Sequence, residues 1–175
     1  KDVKKPILRT DIKLTSVAYS FMMGQFDTVI KETRDALSQA DCPQKYKNFF
    51  ESYLIRSTVL TDPDLSREEL EARLNELTIT DPTLAEKTRK VCLALYDLTV
   101  AHQSNDYFED LTNDFKYQQL EIIYYQALNA TLKGDKDRAK ELFNKLVSED
   151  ALLYIVRMAK QYLEDEVGDG LAIEE

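Results

Sequence analysis

Apolar residues recur along this chain at three- and four-residue intervals, and no stretch alternates with the period of two that a half-buried strand requires. Leu14, Val17, Ala18, Phe21 and Met22 share one face of a first predicted helix, and Phe26, Val29, Ile30, Thr33 and Leu37 share one face of a second. Tyr46, Phe49, Phe50, Tyr53 and Leu54 give a third, aromatic-rich face, and Leu70, Leu74 and Leu77 a short fourth. Ser66 followed by Glu69 has the spacing of a reciprocal capping box and predicts where the fourth helix starts. Asp81-Pro82 opens a fifth, because proline's missing N–H costs least in the first turn, and Leu84, Val91, Leu95 and Leu98 follow on one side. The stretch "SNDYFEDLTNDF" predicts a short sixth helix using Phe108, Leu111 and Phe115. Leu120, Ile123, Tyr124, Ala127 and Leu128 mark a seventh, and Ala139, Leu142, Phe143 and Leu146 an eighth. Leu152, Ile155, Val156, Ala159, Tyr162 and Leu163 mark a ninth. The predicted class is therefore all-α, with about nine antiparallel helices joined by short connections. Residues 1–10 read as an N-terminal extension, 11–165 as a single helical domain and 166–175 as an acidic tail that frays.

Gly24 and Gly134 are the only glycines outside that tail, and each stands between two predicted helices. Glycine relieves the backbone where a helix ends in a left-handed cap, so the chain can reverse at once and the next helix can pack antiparallel. Around Gly134 the small residues Ala127 and Ala139 and the large Phe143 keep a fixed spacing, with Leu146 beyond them; around Gly24 stand Phe26, Val29 and Ala36. On these residues the chain resembles the tetratricopeptide repeat family, from which it departs at Val17, Thr33 and Leu146. The two glycines lie 110 residues apart, which is no multiple of that family's 34-residue period, so the intervening units are irregular in length. The resemblance implies a right-handed superhelical stack in which the first helix of each pair lines a groove. The matching groove positions are Glu121, Tyr124, Leu128 and Thr131 in the unit around Gly134, and Asp11, Leu14, Ala18 and Phe21 in the unit around Gly24. None is the Lys, Arg or Asn with which one subset of the family grips a terminal carboxylate. What remains is acidic and aromatic, suited to a helix or extended peptide carrying basic and apolar residues.

A net charge of −9 with no compensating basic stripe argues against a nucleic-acid partner. No apolar run approaches the roughly 18 residues of a membrane span, so direct insertion by this segment is not expected. Cys42 and Cys92 sit within apolar helical pattern and read as two reduced, partly buried thiols rather than a disulfide. His102, the single histidine, pairs with Asp106 at helical spacing, and Glu109 and Asp110 follow. A useful metal site needs three or four converging ligands, so neither metal nor cofactor is expected and His102 reads as a surface residue at a helix end. Gly-rich phosphate loops, calcium loops and a local Cys–His arrangement are all missing from the sequence.

The expected function is a non-catalytic interaction or scaffold module for a protein or peptide partner, with an enzyme using the His102/Asp106 region as one alternative. A second resemblance supplies another. "FDTVIKE", "LSREELEARLNEL" and "LKGDKDRAKELFNKLVSEDALLY" are similar, in that order, to the helical C-terminal domain of a membrane-anchored, pseudokinase-bearing component of the Gram-positive type VII secretion machinery. Residues 80–115 stand as an insertion against that pattern. This resemblance implies an assembly role and a homodimer. Lys1 in place of Met, with no signal-peptide pattern, suits a processed or excised chain. A cytoplasmic location is favoured, with an extracytoplasmic domain of a membrane-anchored protein as the other option.

Overall fold

The computed structural model of the protein describes residues 4–171, with side chains from residue 9 to residue 165. The protein is all-α. Its helices are α1 (Lys4–Met22), α2 (Phe26–Leu37), α3 (Gln44–Thr61), α4 (Arg67–Asn75), α5 (Pro82–Thr99), α6 (Lys116–Leu132), α7 (Lys136–Val147) and α8 (Tyr154–Leu171), with a single 3₁₀ turn at Asp106–Phe108. Among the described residues no helix is long and apolar enough to cross a membrane.

The predicted starts are built as the sequence reads. The Ser66 hydroxyl accepts from the Glu69 backbone N–H at 3.2 Å, and the Glu69 carboxylate accepts from the Ser66 N–H at 3.1 Å. Asp81 accepts from the N–H groups of Thr83 and Leu84 at 2.9 and 3.1 Å, with Pro82 in the first turn. Both helix-reversing glycines are left-handed, with φ of +72° at Gly24 and +76° at Gly134. At the second, the Asp135 N–H donates to the Ala130 carbonyl at 2.9 Å and the Gly134 N–H to that of Thr131 at 3.0 Å, a double closure that satisfies carbonyls the helix leaves open.

The predicted sixth helix does not form; only the 3₁₀ turn does. The Asn105 side chain accepts from the Tyr107 N–H, and the Asn113 side chain accepts from the Phe115 N–H, both at 2.9 Å. Such short polar side chains offer the backbone an alternative to helical pairing. Phe108 is buried as expected, whereas Phe115 lies on the surface just ahead of α6. Leu152 likewise precedes α8 and is exposed rather than part of its apolar face.

Helix α1 begins at Lys4, within the stretch 1–10 read as an extension, and the backbone of α8 continues into the stretch 166–175 as far as Leu171. The side chains of that acidic tail, and residues 172–175 altogether, lie outside the described residues. Contacts gather into two compact units where the sequence suggested one. The first takes the chain up to Phe21 and Gln25–Ala101, the second Met22–Gly24 with the chain from His102 onward. Val17, Val29, Phe50, Val59, Leu70, Cys92 and Leu95 are core residues of the first unit; Tyr125, Phe143, Leu146, Ile155 and Val156 are core residues of the second. Both cysteines are free and buried in the first unit.

Candidate functional site

In the first unit α1, α3 and α5 lie side by side and parallel, and their cross-links show the register. The Tyr46 hydroxyl of α3 donates to the Asp11 carboxylate of α1. Asn48 of α3 donates to the Thr80 hydroxyl at 3.3 Å and accepts from the Thr80 N–H at 3.3 Å, just ahead of α5. Thr88 of α5 donates to the Ser52 hydroxyl of α3 at 3.2 Å. The partners in these pairs are separated by 35, 32 and 36 residues of sequence. Helix α4 returns antiparallel to α5, held by Arg67 on Asp97 at 2.6 Å and by Arg89 on the Asn75 side-chain carbonyl at 2.9 Å.

The groove positions read on α1 divide sharply. Asp11 is exposed, and its carboxylate, as acceptor for Tyr46, holds that phenol above its ordinary pKa. Leu14 and Ala18 are half-buried. Phe21 is buried, with Phe26 and Tyr53 meeting its ring edge-on at 5.3 Å and the Arg56 guanidinium 4.6 Å from its centre. In the second unit Glu121, Leu128 and Thr131 are half-buried, the last with its hydroxyl donating to the Ala127 carbonyl at 3.0 Å. Tyr124 is buried among Tyr125 and Phe143, at ring separations of 5.3 and 6.1 Å, and burial with Tyr154 nearby pushes its phenol well above the ordinary range. The aromatic anchors expected of a groove, Phe21 and Tyr124, are thus core side chains of their units. Each fills space between helices that the periodic pattern alone cannot distinguish from a surface groove.

The large apolar side chains that do face solvent are others. On α1, Ile12 and Tyr19 are 63% and 56% exposed, seven residues apart on the side of the helix opposite Val17. Phe49 is exposed on α3, and Phe115 and Leu152 flank helix starts of the second unit. The seven-residue spacing of Ile12 and Tyr19, off the main apolar stripe, is the signal that could have found the first pair.

The His102/Asp106 region is built around Asn129, a buried residue of α6. Its side-chain carbonyl accepts from the Asn105 N–H at 2.9 Å, while its amide donates to Asp106 at 2.9 Å and to Glu109 at 2.6 Å. Lys133 pairs with Asp106 and Arg138 with Glu109. The Lys133 ammonium, then the Asn129 amide, hold the Asp106 carboxyl below the usual range. The carboxylates are therefore committed to tying the loop down onto α6 and α7. His102 is exposed, with φ of +51°. Among the described residues no group of three His, Cys, Asp or Glu side chains is placed to hold a metal ion. No family model, curated protein or solved structure matches this chain.

Proposed function

We propose that this chain is a non-catalytic protein-interaction module of degenerate tetratricopeptide-like build, and that it takes a partner helix or extended peptide on the outward face of α1. The repeat reading is supported by the parallel α1, α3 and α5, whose cross-links recur at separations close to one 34-residue period. The contact face is supported by a single observation, the exposure of Ile12 and Tyr19 on one side of α1. Two large apolar groups held in water at helical spacing lose hydration cost when a partner covers them. Tyrosine adds contact area with a polar tip and few rotatable bonds.

Affinity capture with wild-type bait beside an Ile12→Ala/Tyr19→Ala bait, read by mass spectrometry, tests this. Both substitutions are at the surface, so the variant keeps its helical circular dichroism. The expected result is a partner held by wild type and lost from the variant. Equal retention by both baits, or no partner for either, overturns the assignment.

A further inference from the structure

The stretch between α5 and α6 lies on the second unit in the manner of a bound peptide. Of residues 102–115 only Phe108 is buried, its ring stacked on that of Tyr125 of α6 at 4.8 Å. The main chain on either side of that ring is gripped by side chains of α6. Asn129 accepts from the Asn105 N–H at 2.9 Å, and the Gln126 amide donates to the Phe108 and Glu109 carbonyls at 2.8 and 3.1 Å. The two acids beside the ring are gripped as well, Asp106 by Lys133 and Glu109 by Arg138, with the Asn129 amide donating to both. Asn129 is only 1% exposed, so these bonds are made away from water, where they count most. Main-chain groups, two carboxylates and a phenyl ring are all features that an unattached peptide carries equally. The whole stretch adds one buried side chain to the core, so lifting it forfeits little apolar burial and costs far less than unfolding the unit.

We propose that the α6–α7 face is a peptide-binding site closed by the chain's own residues 105–109, and that its ligand is an acidic peptide with a phenylalanine set between two carboxylates. The ligand's ring takes the place of Phe108 beside Tyr125, its carboxylates replace Asp106 and Glu109 on Lys133 and Arg138, and its main chain meets Asn129 and Gln126. Charge selects this class. A neutral peptide leaves the two cations unpaired, and a basic one meets them with like charge. The guanidinium of Arg138 adds a planar fork matched to a carboxylate. The site lies on the second unit and does not rest on the reading of the α1 face. The tethered strap competes at an effective concentration on the order of millimolar, so a free peptide gains access mainly when the strap is weakened.

The test uses the full chain and a fluorescent peptide with the chain's own sequence from Ser104 to Leu111, titrated by polarisation. Two variants weaken the strap and leave its receptor intact: Phe108→Ser, and the surface pair Asp106→Asn/Glu109→Gln, which serves if the first does not fold. The peptide should bind the weakened variants about tenfold or more tighter than wild type, since each charged hydrogen bond taken from the strap carries roughly that factor. Adding Arg138→Gln to a weakened variant should reverse the gain, and a peptide with serine in place of its phenylalanine should bind neither. Hydrogen exchange in the weakened variants should show protection lost at residues 103–111 and kept in α6. The proposal is overturned if no folded weakened variant binds the peptide, if wild type binds it equally well, or if the peptide without phenylalanine binds as tightly. Loss of protection in α6 together with the strap also overturns it, because the strap is then part of the unit's cooperative core.

Discussion

Cys42 and Cys92 show how differently two buried thiols can be placed. Cys92 has no exposed surface, and burial pushes its pKa up to about 12, with the Arg56 guanidinium only partly opposing the shift. Cys42 lines a cavity between α1 and α3 and retains 8% of its surface. Thiol reactivity follows the thiolate, so a water-soluble disulfide reagent at pH 8 should modify Cys42 slowly and Cys92 only after unfolding. The same burial has a consequence for stability. A folded pKa raised above the unfolded value means that the stabilisation is complete below about pH 9 and is lost as pH rises towards about 12, because only the unfolded chain releases the proton in that window. Denaturant midpoints measured from pH 8 to pH 11 should fall, and the fall should be shallower in Cys92→Ala. An identical pH slope in the two proteins would show that Cys92 titrates much as it does in the unfolded chain.

At the scale of elements, α4 depends most on its ends. It has nine residues, too few for a helix to persist by its own propensity, and it buries only Leu70 and Leu74. The reciprocal bonds of Ser66 and Glu69 therefore matter, and Ser66→Ala should destabilise the protein by about 1 kcal/mol, read as a lower urea midpoint at unchanged slope. This start was legible because capping is local chemistry, and so were the starts at Asp81-Pro82 and the reversals at Gly24 and Gly134. The stretch around Asp106 was not. Its apolar spacing fits a helix, but its fate is decided by Asn129, more than twenty residues away in sequence, which gathers Asn105, Asp106 and Glu109. The burial of two candidate site residues was illegible for a related reason. Periodicity marks an apolar face without saying what covers it, so Phe21 and Tyr124 read as contact residues when neighbouring helices already enclose them. Ile12 and Tyr19 lie off that stripe, and the stripe-based reading passed them over.

At the scale of the molecule, the chain's contacts gather into two units, and the helical pattern holds no record of that division because every helix obeys the same periodicity. What separates the units is which faces meet. In the first, α3 packs against α2 and α5; in the second, α6 packs against α7, which packs against α8. Cooperativity follows shared burial, so the loss of one unit's core should be felt mainly within that unit. Leu95 of the first and Phe143 of the second are both fully buried. Leu95→Ala should cost about 2–5 kcal/mol and Phe143→Ala about 3–5 kcal/mol, from lost transfer energy and the cavity left behind. Native-state hydrogen exchange read by mass spectrometry should then show protection lost between residues 26 and 99 in the first variant and between residues 116 and 165 in the second. Loss spread evenly over both segments in either variant would mean that the two units open as one cooperative body, and a partner bound on α1 would then stabilise α6–α8 as strongly as α1–α5.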